Sequence, residues 1–129
     1  MHLSCVRAGT GHALTGARQW IPREHIADPV TALAAGLPPG LRFRTKGQLA
    51  ADVLPDAYAD GAAFGFILGD EVCGASPDLR EYLESRGQAY VLRVASGFTL
   101  TLAGGTTMTC AQAVKRLATE STRRSPAVT

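Results

Sequence analysis

Apolar positions change their spacing several times along this chain, and each change marks an element. Leu3 to Ala8 reads as a strand, Gly9-Thr10-Gly11 as a turn, and 12 to 21 as a returning strand with Leu14, Ala17 and Trp20 as its apolar points. Two short strands about a Gly-rich turn predict a β-hairpin, which Pro22 stops. Asp28-Pro29 places a capping carboxylate before a proline at the first helical position, and Val30, Leu33 and Ala34 follow at helical spacing as far as Gly36. Leu37-Pro38-Pro39-Gly40 is a loop. Leu41 to Arg44 is a short extended piece. Thr45 then caps a helix over 46 to 59, with Leu49, Val53, Leu54, Ala57 and Tyr58 on one face. Pro55 inside that pattern predicts a kink or a division, because proline removes a backbone donor and crowds the preceding turn.

The densest stretch follows. An apolar run over 64 to 68 ends at Gly69-Asp70-Glu71, and Ser76-Pro77 supplies a capping hydroxyl and a proline where a helix starts. Leu79, Tyr82 and Leu83 form its apolar stripe, and Arg86-Gly87 ends it. Residues 88 to 95 read as a second buried strand. Strand, helix, strand over 64 to 95 predicts a βαβ unit with parallel strands and a right-handed crossover. Phe98 to Leu102 alternates as a further strand, Gly104-Gly105 turns the chain, and Thr109 caps a last helix from Cys110 to Leu117. The polar residues 118 to 129 are expected to be a disordered tail. The fold class is α/β.

Composition narrows the picture by exclusion. A chain of 129 residues carries one domain and one core. It has no apolar run of membrane-spanning length and no signal-type segment after Met1, so a cytoplasmic protein is expected. Cys5, Cys73 and Cys110 form no Cys-x-x-Cys, which argues against a zinc knuckle or a disulfide framework. His2, His12 and His25 show no ligand spacing. The net charge of +2 permits contact with nucleic acid without announcing it.

Two sets of residues carry candidate chemistry. Asp70 is the first residue off a buried strand, and ligands in open α/β sheets sit outside the carboxyl ends of strands. A carboxylate there suits a hard cation such as Mg²⁺, although aspartate also serves turns through hydrogen bonding alone. Glu71 points elsewhere if the backbone is extended. Arg42, Arg44 and Lys46 stand at alternate positions and form a basic stripe if extended, suited to phosphates or, equally, to guarding a strand edge. No Gly-x-Gly-x-x-Gly opens a helix, no Walker-type loop occurs, and no histidine is near Cys73 in sequence.

Several segments together resemble one family: Gly11-His12-Ala13-Leu14, Arg18-Gln19-Trp20-Ile21-Pro22, Leu41-Arg42-Phe43-Arg44-Thr45-Lys46, Gly69-Asp70-Glu71-Val72 with Gly74, and Gly87-Gln88-Ala89-Tyr90-Val91-Leu92. In this order and spacing the chain resembles bacterial insertion-sequence transposases of the DDE type over residues 3 to 117. The resemblance implies an RNase-H-like mixed sheet with flanking helices, here incomplete. It also implies DNA strand cleavage and joining with Mg²⁺ or Mn²⁺ held by two aspartates and a glutamate. Asp70 matches the middle aspartate, and Cys73 stands where the family usually has tyrosine. The first aspartate belongs to a central strand ahead of the hairpin, and the glutamate lies well beyond Leu117, so 1 to 117 reads as a partial catalytic domain, inactive alone. Arg42, Arg44 and Lys46 become DNA-contact candidates, and the uncovered sheet edge implies self-association. The competing readings are a non-catalytic DNA-binding remnant and a small metal-dependent hydrolase centred on Asp70.

Overall fold

The structure is a computed structural model and describes residues 1–124. The hairpin forms as expected. β1 (His2–Arg7) pairs antiparallel with β2 (Gly11–Ala17), from His2 opposite Ala17 to Arg7 opposite Gly11, with the register shifting after Leu3. Past Pro22 the chain makes a short helix α1 (Arg23–Ala27) that the sequence pattern did not announce. α2 (Pro29–Ala34) is capped by Asp28, whose carboxylate accepts from the backbone N–H groups of Val30 and Thr31.

The central helix is α3 (Lys46–Ala59). A capping box starts it: Thr45 Oγ1 accepts from Gln48 N at 3.2 Å, and Gln48 Oε1 accepts from Thr45 N at 3.0 Å. Of the two outcomes expected at Pro55, division does not occur: α3 runs through this residue. It lies on the exposed face, where water can satisfy the Ala51 carbonyl that its missing N–H leaves unpaired. The opposite face buries Leu49, Ala50, Val53, Leu54 and Ala57.

Strand β3 (Ile67–Gly69) pairs with β4 (Tyr90–Leu92), and the pairing is parallel, as the strand–helix–strand pattern requires. β3 begins three residues later than the apolar run. Phe64 instead packs edge-on against Tyr58, with ring centroids 5.6 Å apart, and its carbonyl accepts from Gln88 Nε2 at 3.0 Å. Between the strands lie a one-turn helix α4 (Glu71–Gly74) and α5 (Pro77–Ser85). Leu79 and Leu83 of α5 join Ala50, Leu54 and Ile67 in one apolar cluster, so the core sits where α3 and α5 cover β3.

β5 (Thr99–Thr101) and β6 (Thr107–Thr109) form a second hairpin, of which β6 was not expected. α6 (Cys110–Arg124) starts at another reciprocal pair, Thr109 with Gln112. It runs past Leu117, through an Arg116–Glu120 ion pair one turn apart. Residues 118–124 are therefore helical, and the rest of the expected tail, 125–129, lies outside the described residues.

The fold is α/β, consistent with an RNase-H-like arrangement, but the strands do not make one mixed sheet. They form three separate two-stranded sheets, β1–β2, β3–β4 and β5–β6. The hairpin does not pair with β3. Instead β1 and β3 flank a cavity of about 410 Å³, lined by residues 3–6 on one side and 63–68 on the other. Val6 and Leu68, 77% and 76% exposed, stand at this cavity.

Candidate active site

Asp70 lies between the end of β3 and the start of α4 and acts as the N-cap of that helix: its Oδ1 accepts from Cys73 N at 3.1 Å. The turn is tight because Gly74 packs against the segment after β4. A Cβ there would overlap the carbonyl of Arg93, so only glycine lets α4 sit this close. The Cys73 N–H holds the Asp70 carboxyl below the usual carboxylate range, and Lys46 adds a smaller pull. The folded state thus keeps this charge more firmly than the unfolded one. The stabilisation is present above the ordinary carboxylate range and is lost as pH falls through the lowered value. At neutral pH the group is an exposed, ionised carboxylate.

Cys73, beside it, behaves differently. It is half-buried, and burial followed by the Asp70 charge pushes its thiol up, away from thiolate character. That favours a packing role. Glu71 is the first residue of α4.

The basic stripe does not survive as a stripe. Residues 41–45 are not a strand, and Lys46 already belongs to α3. Arg44 turns onto α3 and makes a two-pronged pair with Asp52: Nε donates at 2.9 Å and Nη2 at 2.6 Å. That pair raises the Arg44 pKa further and largely cancels its charge for an outside phosphate. Arg42 and Lys46 remain exposed. Lys46 Nζ lies 5.2 Å from the centre of the Trp20 ring.

Asp70 fits one oxygen ligand of a hard cation. Among the described residues, no group of three or more His, Cys, Asp or Glu side chains could hold a metal ion. A family model described as DDE superfamily endonuclease matches residues 1–120. The chain belongs to that family. None of the curated proteins compared with it matches, and none of the solved structures does. The match runs from the hairpin into α6, so this DDE superfamily endonuclease chain carries Asp70, its cap geometry and the βαβ unit inside the matched span.

One feature of this surface escaped the sequence. A cleft of about 480 Å³ lies next to α4, lined by Trp20, Phe43, Lys46, Val72, Ala75 and Asp78 among others. Trp20 and Phe43 are far apart in sequence from Val72, and only the packing of the hairpin's exit, α3 and α4 brings them together. The one local signal was an aromatic residue at each of Trp20 and Phe43, each near a basic residue.

Proposed function

We propose that this chain is part of the catalytic domain of a bacterial insertion-sequence transposase, a cytoplasmic protein acting on DNA, and that Asp70 is the middle carboxylate of its metal site. The observation that carries the reading is the position of Asp70. It leaves the carboxyl end of a strand in a parallel βαβ unit, ionised and exposed, within a chain of the DDE superfamily. Mg²⁺ or Mn²⁺ there supplies Lewis-acid stabilisation of phosphoryl transfer. The part of this chain is to hold one oxygen ligand in a fixed rotamer through the Cys73 N–H. On this reading the other two carboxylates come from outside residues 1–124, and the chain alone is expected not to cleave DNA. A small self-sufficient hydrolase would need further ligands beside Asp70, and no group of three or more His, Cys, Asp or Glu side chains that could hold a metal occurs among the described residues. A non-catalytic DNA-binding remnant would rest on Arg42 and Lys46, with Arg44 already engaged by Asp52.

The encoding DNA tests this cheaply. Reading frames beside it should encode, upstream, a strand ending in aspartate and, downstream, a helix supplying glutamate. Flanking frames unrelated to either would remove the transposase reading.

The cavity between β1 and β3 supports the finer fold reading, a mixed sheet missing a strand at that place. Two uncovered edges favour self-association. Sedimentation of the isolated chain is expected to give a mass that rises with concentration, and Leu68→Lys, which puts a charge at the edge, to lower it. A cooperative, concentration-independent melt at monomer mass argues against the open edge.

A further inference from the structure

The cleft beside α4 brings aromatic rings and basic side chains onto one surface. Trp20, the one tryptophan of the sequence, is left 39% exposed in it. Phe43 is the second ring. Each ring carries a cation: Lys46 Nζ is 5.2 Å from the Trp20 centroid, and Arg23 Cζ is 4.3 Å from that of Phe43. The floor is rigid. Gly47, in the first turn of α3, lies so close to Ser76 that a Cβ would overlap its side chain, and Ser76 caps α5. The one acid of the cleft, Asp78, accepts from Gln48 Nε2 at 2.9 Å. Val72, in the wall of the cleft, stands two residues after Asp70 in the turn into α4, which places the cleft next to the candidate metal ligand.

Exposed aromatic faces interleaved with basic side chains are how proteins hold unpaired nucleic acid: the ring stacks on a base of any identity, and the cation meets the backbone phosphate. The walls here are apolar at Val72 and Ala75, which suits the flat face of a base more than a sugar or a free anion. We infer that this cleft takes an unpaired nucleobase of the DNA strand, stacked on Trp20, with Lys46 on its phosphate. It thereby positions that strand beside Asp70. The inference rests on the reading of the chain as part of a DNA-processing domain, but its test requires neither metal nor cleavage.

Because Trp20 is the only tryptophan, its emission reports stacking directly. Titration of the full chain with a short oligothymidylate is expected to quench that emission to a plateau. An abasic oligonucleotide with the same number of phosphates should leave it near its starting value. Trp20→Leu is expected to weaken oligothymidylate binding by roughly tenfold and to leave abasic binding unchanged, at unaltered circular dichroism. Lys46→Gln should weaken both ligands and reduce the salt slope by about one, yet keep the quenching plateau. Should Trp20→Leu fail to fold, the quenching contrast between the two ligands in the intact chain decides the matter alone. Equal quenching by the abasic ligand, or oligothymidylate binding with no change in emission, overturns the base pocket. Quenching without any DNA cleavage by the completed domain fails the endonuclease reading and leaves the pocket standing. Cleavage without quenching does the reverse.

Discussion

Asp70→Asn is expected to suppress metal-dependent DNA cleavage when this chain is tested in a completed domain, co-expressed with segments that supply the other two carboxylates of the proposed site. The substitution keeps the side chain's size and an oxygen that can still accept from Cys73 N, so the turn into α4 persists. What it removes is the negative charge that draws a hard cation. A metal stabilises phosphoryl transfer by several kcal/mol, and each 1.36 kcal/mol is a factor of ten, so the expected fall in rate is about a thousandfold or more. Secondary structure and melting should stay close to the parent. A rate unchanged within a few-fold would mean that Asp70 is an ordinary capping residue.

The second large effect concerns the core. Leu83 is fully buried and packs with Leu79, Leu54, Ile67 and Ala50, the contact that fastens α5 and α3 over β3. Leu83→Ala removes that side chain from a site with little room to collapse, at a cost of about 3 kcal/mol. Stability of small domains is only about 5–15 kcal/mol, and this one has its core confined to one side of short, separate sheets. The thermal midpoint should fall by roughly 10 °C, or cooperative melting should disappear. Val114→Ala on the exposed face of α6 provides the contrast, with a change within about 0.5 kcal/mol. Equal effects at the two positions would contradict this placing of the core.

Much of this architecture was written locally. The hairpin follows from two short strands about Gly9 and Gly11, and the parallel pairing of β3 with β4 from a helix that Ser76-Pro77 starts and Arg86-Gly87 stops. Elements of a single turn were not legible: α1 and α4 bury too few residues to show a period, and β6 is three residues joined directly to α6. The end of α6 was misplaced because its apolar positions Cys110, Val114 and Leu117 run out at Leu117, while the helix continues through the Arg116–Glu120 ion pair. Asp70 was legible as a position because the strand end and the cap are both sequence-local. The fate of the basic stripe was not. Thr45 turns the chain into α3 one residue before Lys46, and Arg44 then finds Asp52 two turns along that helix. The cleft of Trp20 and Phe43 depends on packing between segments distant in sequence, for which no local spacing exists.

On the proposed reading this chain contributes Asp70 as one carboxylate of a metal site whose other two carboxylates lie outside it. Nicking of supercoiled DNA by the isolated chain in Mg²⁺ or Mn²⁺ tests it most directly. No cleavage above background is expected with either metal. Robust metal-dependent nicking by the isolated chain, lost in Asp70→Ala, would contradict it.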